Sequence, residues 1–132
     1  MSPRRTVLLA AVAAVTTASA WSGSLGRDGA EGDPRRGADV FAGKCAVCHS
    51  TTAGWNKEGP SLAGVFGRRA GSAPDFTGYR ALRGLDVVWD APSLDAWLAD
   101  PKGFSGRNSA MAVKLADGSA RADVIAYLRS LR

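Results

Sequence analysis

Residues 43–50, Gly-Lys-Cys-Ala-Val-Cys-His-Ser, hold both cysteines and the single histidine of the 132-residue chain. A pair of cysteines two residues apart can serve as a redox dithiol, as half of a zinc site, or as the covalent seat of a haem. The first two uses make demands that the remainder of the chain must meet. A closed structural zinc site takes four Cys or His ligands, and here Cys45, Cys48 and His49 are three in all, crowded into five residues. A thioredoxin-like dithiol belongs in a βαβ setting, which the sequence lacks, and a plain disulfide stays open as the alternative for an exported chain.

The order C-x-x-C-H fits the third use. Two intervening residues space the sulfurs to form thioethers with the two vinyl groups of one porphyrin, and the adjacent imidazole can reach the iron. With His49 the lone histidine, a second axial ligand has to be of another type. Met111 is the only methionine beyond the N-terminal segment, and soft thioether sulfur suits haem iron. His/Met ligation raises the potential and suits an electron carrier. The competing reading of Met111 is a flexible gap-filler in a small core.

These residues need elements to position them. Residues 1–20 place Arg4 and Arg5 before an apolar run and end in Ala18-Ser19-Ala20, the pattern of an export signal cleaved near Ala20. An uncleaved anchor is the alternative, but Thr6 to Ala20 is 15 residues, short of the roughly 20 that span a bilayer as a helix. Residues 21–35 read as a flexible leader of Gly, Ser, Asp, Glu and Arg, and residues 36–132 as one domain. Val40 and Phe41 mark an amphipathic helix running into the Cys45 motif.

Residues 91–101 read as a second helix, with Ser93 as its N-cap and Pro101 just past its end. Val124, Tyr127, Leu128 and Leu131 recur at helical steps in a last helix that Ser119 can cap. Gly-rich loops without a hairpin signal separate the three. So little helix buries a thin core, and a domain of this kind needs a staple.

Charge narrows the partners. Arg4 and Arg5 leave with the signal, so seventeen basic residues become fifteen against twelve acidic, a net charge of +3. No basic run is interleaved with aromatics, which argues against nucleic acid.

On these residues the chain resembles class I c-type cytochromes, of the mitochondrial type and its bacterial counterparts, from about Arg36 to Leu131. Residues 37–49 match the family's first helix and haem motif, with Gly37 and Phe41 at the crossing with the last helix. Residues 59–71, GPSLAGVFGRRAG, match the segment in which a proline carbonyl accepts a bond from the ligand histidine and an arginine approaches a haem propionate. The resemblance thus assigns those roles to Pro60 and Arg68. It also implies that Trp89 donates to a propionate, that Trp97 and Leu98 wall the Met111 side, and that residues 121–128 pack the last helix on the first. Tyr127 reads as ordinary core.

The chain departs from the family in several places, among them a segment between His49 and Pro60 and a segment after the Met111 loop that are each one residue short. Gly78 stands where a tyrosine is usual and Tyr79 follows it, Leu82 replaces a residue often polar, and the loop before Met111 lacks a proline and is one residue longer.

The resemblance implies an all-α class I fold of about three helices wrapped around one covalent haem c. It implies a periplasmic, monomeric carrier without stable membrane insertion, not an enzyme, passing single electrons between transient redox partners such as a quinol:cytochrome c oxidoreductase and a terminal oxidase. Lys44 and Lys102 match family docking lysines, with Lys57 and Arg107 as looser additions among a total of four lysines. The alternatives are a dedicated subunit of a periplasmic sulfite or alcohol dehydrogenase, and a haem sensor or peroxidase with an open sixth position.

Overall fold

The structure is a computed structural model and describes residues 31–131. The expected signal segment 1–20 and residues 21–30 of the expected leader lie outside the described residues. Helix α1 (Pro34–Val40) passes into a π-helical turn (Phe41–Cys45). Helices α2 (Ala91–Ala99), α3 (Pro101–Ser105) and α4 (Gly118–Ser130) follow. The only pairing of extended backbone among the described residues is one antiparallel bridge between Arg69 and Val88. The all-α expectation therefore holds.

Helix α1 starts two residues before the expected domain boundary, because Pro34 sits in its first turn and Asp33 caps it, accepting from the Arg35 N–H at 2.7 Å. Proline is favoured there because its missing N–H is one that the helix leaves unpaired anyway. The caps of the later helices also differ from expectation. Asp90, not Ser93, caps α2: its carboxylate accepts from the Ser93 N–H at 2.8 Å while the Ser93 hydroxyl accepts from the Asp90 N–H at 2.9 Å. Ser93 thus completes a reciprocal capping box from the third helical position. Asp117 caps α4 by accepting from Ser119 N–H at 2.8 Å, which puts Ser119 inside the helix.

Pro101, expected to follow the end of α2, instead opens α3, and Gly106 closes that short helix with φ +64°. That left-handed conformation costs glycine nothing sterically.

Helices α1 and α4 cross closely. A Cβ on Gly37 would lie 2.0 Å from the carbonyl oxygen of Asp123, so only glycine permits this approach. Phe41 packs on Tyr127 with ring centroids 5.5 Å apart. Val124, Ile125 and Leu128 of α4 are buried, each contributing on the order of 1.5–3 kcal/mol of apolar burial.

The crossing also carries a buried carboxylate. Asp123 is 6% exposed and accepts from Arg36 Nε at 2.7 Å, Arg36 Nη2 at 2.9 Å and the Asp33 N–H at 2.7 Å. Those donors hold its carboxyl below the usual carboxylate range, the Arg36 hydrogen bond most of all.

Candidate functional site

The π turn delivers Cys45 inward and ends where the His49 N–H donates to the Cys45 carbonyl at 2.9 Å. A cavity of about 360 Å³ opens there, with mainly apolar walls. All of Cys45, Cys48, His49, Pro60, Arg68, Trp89, Trp97, Leu98 and Met111 line it, with Lys44 at the same cavity. Lys102 is exposed on α3 and is not part of the lining.

The histidine is held by geometry on two sides. Its Nδ1 lies 2.8 Å from the Pro60 carbonyl oxygen. A carbonyl can only accept, so Nδ1 carries the proton and Nε2 keeps a free lone pair. Burial lowers the pKa of His49, with the Pro60 bond partly opposing the shift. A Cβ on Gly59 would fall 2.3 Å from the ring's Cε1, so the ring occupies space that glycine leaves open. The local backbone is tied in turn: Gly59 N–H donates to Cys48 O at 2.8 Å, and Leu62 N–H to Ser50 O at 2.9 Å.

No disulfide joins Cys45 and Cys48, so both sulfurs are available at the cavity. Burial pushes Cys45 up to about 11, with the neighbouring Cys48 adding to the shift. Cys48 donates to Glu58 Oε2 at 3.4 Å, and this bond raises its pKa. Redox-active dithiols carry a lowered thiol pKa, and neither cysteine shifts in that direction.

The remaining walls are aromatic and cationic. Trp89 and Trp97 of the wall cluster with Phe104, which does not line the cavity, at ring-centroid distances of 5.8–5.9 Å, within the range of favourable aromatic contact. Arg68 is half-buried and donates to Ala63 O and Ser61 O, each at 3.1 Å. Its burial lowers its pKa, leaving a guanidinium at the wall suited to an anionic group. Tyr79 lines the cavity despite the one-residue shift in sequence, its hydroxyl oxygen accepting from Ala73 N–H at 3.0 Å. Leu82 is buried and also lines the cavity.

Met111 is half-buried in the segment between α3 and α4. Ser109, Ala110, Ala112 and Val113 line the cavity beside it. Tyr127 is half-buried and packs on Phe41 in the core. Sequence reasoning missed the contacts of Gly59 and Glu58. The Gly-Pro dipeptide at 59–60 was the available signal for the first, and none marks the second.

A soft sulfur, an imidazole with a free Nε2, two cysteine sulfurs and a half-buried cation around one apolar cavity form a donor set that fits haem. The family model Cytochrome c matches residues 34–132. This chain belongs to the cytochrome c family.

Cytochrome c2 iso-2 of Magnetospirillum fulvum is 45% identical over 89 residues, covering 67% of this chain and 93% of that protein. Cytochrome c of Euglena viridis is 33% identical over 101 residues, covering 76% of this chain and 99% of the relative. Among solved structures, cytochrome cH from Methylobacterium extorquens superposes with a TM-score of 0.68 at 35% identity, covering 75% of this chain and 99% of that one.

The protein is a class I c-type cytochrome and an electron-transfer protein, not an enzyme. Its redox partners are other proteins, and its haem c is bound covalently through cysteine. Cys45 and Cys48 are the only two it has. No helix among the described residues is long and apolar enough to cross a membrane.

Proposed function

We propose that this cytochrome is exported to the periplasm by cleavage near Ala20. There it carries haem between His49 and Met111 and shuttles single electrons from a quinol:cytochrome c oxidoreductase or a dehydrogenase to a terminal oxidase. The observation that carries the reading is the His49–Pro60 bond of 2.8 Å facing a cavity that also contains Met111. Haem bound there supplies the one-electron couple.

The chain's own residues do the rest. Pro60 O fixes the tautomer and orientation of the imidazole, leaving Nε2 for the metal. The thioether of Met111 supplies a neutral soft donor that favours the reduced state. Trp89, Trp97 and Leu98 exclude water, so a change of charge meets little solvent reorganisation. Arg68 would supply the positive charge for a haem propionate at the wall. Lys44 and Lys102 are exposed and are the charges available to steer an acidic partner.

The test is the absorption spectrum of periplasmically matured protein, with and without Met111→Ala. The expected result is a low-spin spectrum with the weak far-red band of sulfur-ligated ferric haem, lost in the variant. A native spectrum that the substitution leaves unchanged overturns the ligand assignment.

A further inference from the structure

Among the described residues, 108–113 make one hydrogen bond, and it is internal: Met111 N–H donates to Ser109 Oγ at 3.0 Å. Nothing in that stretch is bonded to the body of the protein, yet its flanks are. Before it, Arg107 Nη1 donates to Arg83 O at 2.6 Å, next in sequence to the cavity-lining Leu82. After it, Lys114 Nζ lies 2.6 Å from Asp100 Oδ1, at the junction of α2 and α3. The next residue adds a backbone tie, Leu115 N–H to Leu98 O at 2.8 Å. Arg121 of α4 then receives the chain through Leu115 O and Ala116 O at 2.8 and 2.9 Å.

We infer that Arg107 and Lys114 are positioning residues for Met111, two side-chain anchors that set how often the unbonded span between them swings its sulfur out of the cavity. The inference rests on the reading of Met111 as an axial ligand. It gives Arg107 a role other than the docking one its charge invites. Each anchor is solvent-exposed, so each shifts the opening equilibrium modestly and the effect is electrostatic at Lys114. An outside ligand binds only the open form, so its apparent affinity scales with the open fraction.

The experiment measures cyanide binding to the ferric holoprotein for wild type, Arg107→Ala, Lys114→Ala, Lys114→Arg and Met111→Ala, with the far-red sulfur band and far-UV circular dichroism melting recorded alongside. Each alanine anchor variant is expected to keep the band and the melting temperature while its cyanide affinity rises about two- to fivefold. The double variant should multiply the two effects. Lys114→Arg should behave as wild type, and 1 M salt should bring wild type toward Lys114→Ala. Unchanged cyanide binding in both alanine variants, with the band present in wild type, overturns the inference alone. A wild type without the band, or Met111→Ala binding cyanide no better than wild type, overturns the ligand reading and the inference with it.

Discussion

His49 and Met111 line the same cavity, yet the chain secures them by opposite means. The histidine side is built from short-range backbone: the π turn, the Cys45 carbonyl taking the His49 N–H, the Pro60 carbonyl taking the ring proton and Gly59 vacating the space for it. The methionine side is a span with a single internal bond, held at its flanks by long side chains that reach distant carbonyl and carboxylate groups. Local wiring resists opening because every bond is renewed by its neighbours. A span held at its ends opens as a unit, so exchange at the cavity is expected to begin on the methionine side.

Breaking the rigid side should have the largest effect. Gly59→Val places carbon 2.3 Å from His49 Cε1 and 2.7 Å from Nδ1, and either the ring or the 57–60 backbone must yield. The expected outcome is loss of the low-spin spectrum together with a melting temperature lowered by roughly 5–15 °C, since overpacking of this kind costs about 1–3 kcal/mol.

Both sides lean on α4, through Asp123 toward α1 and through Arg121 toward the methionine segment. Asp123→Asn removes the charge that Arg36 pairs with and should lower the melting temperature by about 5–10 °C at neutral pH. The far-red band at room temperature should survive, because the methionine anchors are untouched. The carboxyl's folded pKa is depressed, so its stabilisation is present above the ordinary carboxylate value and lost as pH falls through the folded one. The gap between wild type and variant, followed by melting curves, should therefore close below about pH 4.

The smallest effect is expected outside the cavity. Charge reversal at Lys44 and Lys102 should slow electron delivery to an acidic redox partner a few-fold at low salt and leave the spectrum alone. Stopped-flow rates that do not change would remove docking from both residues.

The same contrast explains what the sequence disclosed. Cys45, Cys48 and His49 announce themselves because their chemistry needs adjacency, and Pro60 lies only eleven positions on from the histidine. The three main helices were visible from periodic Val124, Leu128 and their like. Their caps were misplaced because Ser93 and Ser119 compete with aspartates two or three positions earlier, and a carboxylate accepts hydrogen bonds more strongly than a hydroxyl. Helix α3 is five residues long, too short for a periodic pattern to appear. Arg107 reads only as a looser docking charge and Lys114 carries no signal, since their partners Arg83 and Asp100 are distant in sequence and only the folded chain brings them together.

The π turn between Val40 and Ala46 has a consequence for register. On a straight α-helix at 100° per residue, Cys45 would stand about 80° away from the line through Gly37. The wider turn, closed by the Ala46 N–H on the Phe41 carbonyl at 2.9 Å, rotates less per residue and takes much of that drift back. Gly37 against α4, Phe41 against Tyr127 and Cys45 at the cavity thus fall along one seam. One supernumerary residue in the winding acts as a phase corrector, aligning the helix crossing with the point of covalent attachment. A chain shortened there by one residue would regain ideal helical bonding and set the cysteine seven positions from Gly37, within about 20° of the same seam, so the wider turn is what lets the longer segment keep packing and attachment on a single face.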